Sequence, residues 1–449
     1  MPKTFDGIRK KKSRNRPSPP SFTFKKINLQ IIVVVVILGL LAIGSFFIIR
    51  TIKDKLEIIT LFRSGKYLII FQNNAEIRPT GGFIGSFAVA TFSEYRLKDF
   101  NFDTNIYKLD KSYSFDHNIP SPGPLQTITD KWALRDSNWA ISFPESAQQI
   151  EWFYKQETGQ DVDGVIAING SVLRDVLKIT GPIGLSNYNT IINYDNFFNE
   201  LTTQIEDTYF NSQENQQENE PKTILKDLMP EVFQRIKTHK LQVLKLAYKE
   251  ILQKQILFYS RNSNIENDIL ARNWGGEIQK TSSDYLSVNQ ASIVDVVRIP
   301  KVGGKSSVSV KEKIDYKVEK QEAVLIGNLT VTRMHEGTYY WPDGINHNWT
   351  RVLVPKGSVL QTATMDGADY KDVVVTDIES QKTTFGFWTQ TAPQTSTVVN
   401  LTYILPVSLQ NYSLLVQKQS GNLGDQLTVT FGNKLLFSGV LDEDKTIKQ

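Results

Sequence analysis

One cation on a glycine-rich loop offers the clearest chemistry in this chain. Asn74, Glu76, Arg78, Thr80, Gly81 and Gly82 fall within the nine residues NAEIRPTGG, between two strand-like runs, Lys66 to Asn73 and Phe83 to Phe92. Gly81 and Gly82 can turn successive amides toward one point, as in an anion-binding nest. A guanidinium beside them can hold a phosphate or carboxylate in two-point fashion, with Asn74, Glu76 and Thr80 completing the set. The same residues also support a plainer arrangement, a tight hairpin turn at Pro79 to Gly82 with Arg78 paired to Glu76. The two readings make opposite demands, an exposed Arg78 for a site and a buried one for a structural ion pair.

Other constellations carry less. The chain has no cysteine, which excludes disulfides, thiolate metal sites and a cysteine nucleophile. Its four histidines, His117, His239, His335 and His347, show no HExxH spacing and read as ordinary surface or half-buried residues. Neither a GxSxG elbow nor a GxxxxGK[ST] loop occurs, so serine-hydrolase and nucleoside-triphosphate readings lose their warrant. Asp99, Asp103, Asp110 and Asp116 lack calcium-loop spacing and read as solvated loop acids. Trp132, Trp139 and Trp152 have the chemistry to stack on sugars, but aromatic core packing explains them more simply. Five N-x-S/T triplets, at Asn169, Asn328, Asn348, Asn400 and Asn411, are expected by chance in an Asn-rich chain.

The elements that position the loop follow from periodicity. After its second flanking strand comes Leu97 to Asp103, then an irregular Pro/Ser/Asp region through Pro124. Pro144 to Glu157 reads as a helix with Ser142 as cap, Ala147, Ile150 and Tyr154 on one face, and Gly159 as its stop. Val162 to Ile168 is a buried-strand pattern, and Ser171 to Ile179 a helix ended by Gly181-Pro182. This order predicts an α/β (α+β) domain over residues 60–300. A helical insertion runs from Tyr194 to about Asn262, broken by the polar stretch Ser212 to Glu220. Its stripe Leu225, Leu228, Val232, Ile236, Leu241, Leu244, Tyr248, Ile251 and Leu252 faces a core, and Pro230 marks a first turn or a kink. Beyond Lys301 to Ser307, a Gly-rich hinge, the period becomes two: Val308, Val310, Ile314, Tyr316 and Val318, then Leu325, Leu329, Val331, Val399, Leu401, Tyr403 and Leu405. That pattern predicts an antiparallel β-sandwich over 306–449.

The N-terminal segment addresses location. Ile31 to Ile49 holds nineteen residues without a charge, about 28 Å as a helix, inside an expected transmembrane helix at 27–50. Residues 1–26 carry nine basic side chains against the single acid Asp6, so the positive-inside bias puts this tail in the cytoplasm and the rest outside. The whole chain has 51 basic and 47 acidic residues, which leaves 42 against 46 after residue 26. A slightly acidic ectodomain offers no basic face to nucleic acid, and the tail suits anionic lipid headgroups.

Several ordered segments resemble the bacterial domain of unknown function (DUF) 4012 family. They are FQNNAEIRPTGGFIGSF (Phe71 to Phe87), LRDSNWAISFPESAQQIEWFY (Leu134 to Tyr154), VDGVIAINGSVLRDVLKITGPI (Val162 to Ile183), DYLSV (Asp284 to Val288), RVLVPKGS (Arg351 to Ser358) and YSLLVQKQSG (Tyr412 to Gly421). One departure follows DYLSV, where Asn289 to Ser292 stands in place of an Asn-Gly-rich stretch ending in lysine. A fainter, architectural similarity is to the LytR-CpsA-Psr ligases, which transfer polyprenyl-pyrophosphate-linked glycopolymer to the wall. That similarity implies Arg78 with the Gly81 and Gly82 amides on a pyrophosphate, and a divalent cation on Asp136 or Asp163; no other cofactor is implied. The chain departs from it in lacking a dense arginine set and a paired-aspartate site. The leading expectation is a single-pass protein of the bacterial cell envelope whose ectodomain binds an envelope ligand, a cell-wall or lipid-linked glycan, without catalysis. The alternative is the transferase.

Overall fold

The apolar run at Tyr67 to Ile70 forms the centre of a sheet because both of its faces are covered. The computed structural model describes residues 64–127, 129–211, 222–293, 305–376, 381–406 and 412–449. The tail at 1–26, the helix expected at 27–50, the polar stretch 212–220 and residues 301–304 of the hinge lie outside the described residues. Among the described residues no helix is long and apolar enough to cross a membrane.

Five strands make the first sheet: β1 (Ser64–Arg78), β2 (Gly81–Ser93), β3 (Arg96–Asp103) and β4 (Gly164–Asn169), with Ile256–Ser260 as the fifth, in the order β3-β2-β1-β4 and then the fifth. Strand β1 is antiparallel to β2 and parallel to β4. Side chains alternate across a strand. Tyr67 and Ile69 therefore meet helices Gly170–Thr180, Thr223–Ile236 and Lys240–Leu252, while Leu68 and Ile70 meet helix Phe143–Thr158. Helix Phe143–Thr158 ends as expected at Gly159, which adopts φ 71°, although the Ser142 side chain makes no capping bond. A small pair, β5 (Ile183–Leu185) with β6 (Thr190–Ile192), closes this side.

The helical insertion is shorter than its composition implies. Ile256–Ser260 becomes β7, antiparallel to β4 at the sheet edge, because ILFYS is buried at four of its five positions between helix and sheet. Leu228, Val232, Ile236 and Ile251 are buried as expected, whereas Leu241 and Leu252 are exposed, and Pro230 sits inside helix Thr223–Ile236.

The C-terminal part is β-rich. It comprises β8 (Asp284–Ile293), β9 (Val310–Gln321), β10 (Val324–His335), β11 (Asn346–Pro355), β12 (Val359–Met365), β13 (Ala368–Asp369), β14 (Val374–Thr376), β15 (Lys382–Thr391), β16 (Ser396–Leu405), β17 (Ser413–Val416), β18 (Asp425–Phe431), β19 (Lys434–Leu441) and β20 (Lys445–Lys448). Two sheets result, β13-β12-β16-β10-β9-β18-β19 and β14-β15-β11-β8-β17-β20. The alternating residues Ile314, Tyr316, Val318, Leu325, Leu329, Val331, Val399, Leu401, Tyr403 and Leu405 share one core with Leu286, Val288, Val352, Phe385 and Phe387.

Two expectations need correction. The sheets are not wholly antiparallel, since β17 runs parallel to β8 and β18 parallel to β9. The boundary near 300 is also misplaced, because β8 lies inside the six-stranded sheet between β11 and β17. The cause is packing: DYLSV supplies Leu286 and Val288 to the C-terminal core, a demand invisible in a short strand followed by a glycine-rich stretch.

Candidate functional site

The segment Asn74 to Gly82 is a hairpin. Strand β1 continues to Arg78, Pro79 and Thr80 turn, and β2 begins at Gly81, with Arg78 opposite Gly81 and Ile77 opposite Gly82. Both glycines therefore belong to the strand pairing, and the open nest does not form. Glycine is required here by close approach. A Cβ at Gly81 would meet Gln72 Oε1 and lie 2.6 Å from Asn169 Oδ1, and one at Gly82 would overlap the Asn73 backbone.

Residues two apart on a strand share a face, so Glu76 and Arg78 meet: one guanidinium nitrogen lies 2.8 Å from Glu76 Oε1 and 3.3 Å from Asp136 Oδ1. The other donates to the Ser292 carbonyl of β8 at 2.6 Å. Arg78 is 2 % exposed. Burial opposes its charge, but Glu76 and then Asp136 outweigh that penalty and hold the guanidinium above its ordinary range. The alternation continues through Arg135, 3.4 Å from Asp136 and 3.4 Å from Asp110, giving a ladder Glu76–Arg78–Asp136–Arg135–Asp110. Asp110 is thus no solvated loop acid. It lies four residues after Ile106 on the inward face of helix Ile106–Ser112, and both are fully buried.

The remaining sequence candidates separate. Asn74 donates to the Gly421 carbonyl at 2.9 Å and accepts from the Ser171 amide at 3.2 Å. Thr80 is buried and lines a small pocket, about large enough for a water molecule, together with Lys254, Asn289, Lys418 and Gln419. Asp163 is exposed at the opposite end of β1, where its carboxylate accepts from the Lys66 amide at 2.7 Å. Twelve residues of β1 separate Lys66 from Arg78, roughly 35–40 Å at strand rise. Arg78 and Asp136 therefore share no cleft with Asp163. Among the described residues no group of three or more His, Asp or Glu is placed to hold a metal ion.

What the hairpin does touch is the C-terminal part. Asn289 donates to the Pro79 carbonyl at 2.8 Å and Gln419 to the Arg78 carbonyl at 3.0 Å. Ile77 donates to Ser307 Oγ at 3.2 Å, and Arg351 to the Trp139 carbonyl at 3.2 Å. Ser420 donates to the Lys254 carbonyl at 2.6 Å, and Lys254 pairs with Asp444 at 2.8 Å. Asn74 and Arg78 of β1, with Trp139, Asn169, Arg351 and Gln419 from other segments of the chain, all bond across this seam. Gly421 has φ 78°, and a Cβ there would stand 2.8 Å from the Gly81 backbone. Gly421→Ala is expected to lose about 1–3 kcal/mol in chemical denaturation. Gly432→Ala, at φ 57° with open space around it, is expected to lose less, and equal losses would mean that the close approach to Gly81 does not matter.

Burial also sets the proton balance behind the ladder. Asp110 is pushed up to about 7 and Glu157 to about 8, desolvation being the first cause in both, with Arg135 pulling each back down. These acids hold protons in the fold that the unfolded chain has released. Their contribution to stability is complete below the ordinary carboxylate pKa, and it is lost as pH rises through about 7 to 8. The unfolding free energy is expected to fall from pH 5 to pH 9, by roughly 3 kcal/mol for Asp110. Asp110→Asn should flatten the curve, and an unchanged slope would show that Asp110 is charged throughout.

No motif or spacing marks Arg135 and Asp110 as partners, or Lys222 as a neighbour of the hairpin. Its amine donates to the Gly85 carbonyl at 2.6 Å.

Residues 64–205, from β1 into helix Phe197–Asn211, match the family model described as protein of unknown function (DUF4012). No curated protein matches the chain. Among solved structures, a protein described as nutrient binding from Legionella pneumophila aligns at 9 % identity and TM-score 0.20, over 27 % of this chain and 50 % of its own. An M1 zinc metallopeptidase from Deinococcus radiodurans aligns at 17 % identity and TM-score 0.18, over 33 % of this chain and 40 % of its own. The chain thus spans half or less of each, and overlaps at this level assign neither fold nor function.

Proposed function

We propose that this chain is a single-pass, extracytoplasmic binding protein of the bacterial envelope, in which a stiff two-part ectodomain presents a surface to a cell-wall or lipid-linked glycan. The observation that supports it is the commitment of Arg78, Glu76 and Asp136 to the buried seam. The groups a transferase would need are fixed in architecture, with Asp163 on the far end of the sheet, so recognition falls to the surface around the seam. The bilayer is the second partner, through the nineteen-residue apolar run and its basic tail. The test uses the full chain in detergent micelles, with isolated wall glycan and polyprenyl pyrophosphate as ligands, with and without magnesium. Binding to at least one, unaffected by magnesium and without transfer product, is the expected outcome; formation of a transferred glycopolymer would overturn the reading. Protease added to intact cells is expected to remove the ectodomain and spare residues 1–26. Release of a mature form lacking residues 1–44 would overturn the anchor.

A further inference from the structure

Lys254 places a long side chain where the backbone would be least strained with none. It follows helix Lys240–Leu252 and leads into β7 at φ 56°, a left-handed conformation that glycine or asparagine adopts more easily. Its amide donates to the Ile251 carbonyl at 3.0 Å and its carbonyl accepts from Ser420 Oγ at 2.6 Å, so neighbours on both sides hold the backbone there. Strain held in this way points to a use for the side chain. That side chain is buried, and its amine lies 2.8 Å from Oδ2 of Asp444, in the turn between β19 and β20.

The Asp444 carboxylate is gripped at both oxygens. Lys254 and the Gln279 side-chain amide approach Oδ2, each at 2.8 Å, and the Lys418 backbone amide donates to Oδ1 at 2.9 Å. An amine nitrogen in hydrogen-bond contact with one oxygen stands roughly 3–3.5 Å from the carboxylate carbon, the separation of a near-attack pair. A second carboxyl, Glu277, is near enough to feel the charge of both partners. Burial pushes it above the ordinary carboxylate range, against its own backbone amide and Lys254 and with the help of Asp444. Its Oε2 is buried and has no hydrogen-bond partner among the described residues. Lys254 also lines the small pocket beside Thr80, which has room for about one water molecule.

We infer that Lys254 and Asp444 join through an isopeptide bond, an amide between the lysine amine and the aspartate side-chain carboxyl, which locks the seam covalently. Taking an ion pair out of water lowers the cost of proton transfer within it. The Lys254 ammonium passes one proton to Asp444 Oδ2, leaving an amine and an acid. The amine nitrogen then adds to Cγ, and the negative charge that gathers on Oδ1 meets the Lys418 amide. The nitrogen gives up a second proton, relayed through the Glu277 carboxyl to Oδ2, and the Cγ–Oδ2 bond breaks to release water. The products are one secondary amide and one water, and nothing is oxidised or reduced. The chain has no cysteine for a disulfide. This bond supplies a covalent tie between the segment entering β7 and the last hairpin, across 444 minus 254, or 190, positions. It does not depend on which ligand the chain binds.

The experiment is mass spectrometry of the full chain, purified in detergent micelles and then denatured. The wild type is expected to be lighter by one water than its sequence requires, and tryptic digestion to yield a branched peptide in which Lys254 is uncleaved and joined to Asp444. Lys254→Arg keeps the charge and the ion pair but has no amine to acylate, and it is expected at its full sequence mass, as is Asp444→Ala. Glu277→Gln is expected to remain mostly unlinked, because an amide side chain cannot relay the proton. A wild type at its full sequence mass, cleaved after Lys254, would overturn the bond and leave a buried ion pair. Loss of one water that persists in Lys254→Arg or Asp444→Ala would overturn its assignment to this pair, and complete linkage in Glu277→Gln would overturn the relay. The branched peptide locates the bond in the wild type itself, so the test stands even where a variant fails to fold.

Discussion

Arg78→Met is expected to lower the stability of the chain by about 3–5 kcal/mol, the cost of stranding a buried charge. In the fold Arg78 is 2 % exposed and shared between Glu76 and Asp136, with its other nitrogen on the β8 carbonyl of Ser292. Methionine keeps most of the volume and removes the charge, leaving two carboxylates facing each other across a low-dielectric gap. The loss should be largest at alkaline pH and recede in acid, where those carboxylates protonate. A triple variant, Arg78→Met with Glu76→Gln and Asp136→Asn, should recover part of it, because replacing a whole buried ion cluster is far less costly than breaking one. Urea denaturation of the single and triple variants decides. An Arg78→Met protein with an unchanged midpoint would return the hairpin to consideration as an anion site.

A fragment of residues 306–449 is expected not to fold, and one beginning at residue 280 is expected to fold. The difference is β8, which pairs with β11 over seven positions and with β17 over three. Without it, β11 and β17 face each other across a missing strand, each with an unpaired edge. Leu286 and Val288, both buried in the shared core, are lost as well, at about 1.5–3 kcal/mol each. Together with the missing ladder hydrogen bonds this is comparable to the whole stability of a typical domain. Circular dichroism and thermal melting of the two fragments form the test. A cooperative transition in the 306–449 fragment would show that the core closes without DYLSV, and the domain boundary would return to the hinge.

Both results turn on contacts between segments far apart in the chain, and this is where sequence and structure divide the account. Periodicity alone determined the elements whose burial is local in pattern: KYLIIF as a strand, the Ala147, Ile150, Tyr154 face with its Gly159 stop, and the alternation from Ile314 to Val318 and from Val399 to Leu405. A repeat of 2 or 3.6 is fixed by backbone geometry, so it survives in a single line of residues. The sequence also left two fates open for Arg78. The choice fell to tertiary structure, because Asp136 and Ser292 reach it from 58 and 214 residues away. The same holds for Asp110, which reads from its spacing as a solvated loop acid and is instead buried beside Arg135, and for Lys222, seated on the carbonyl of Gly85 137 residues distant. Charge, unlike hydrophobic period, has no repeat along the chain that tells whether it will be solvated or paired. That depends on which side chains the folded strands bring within about 4 Å, a matter of topology and register.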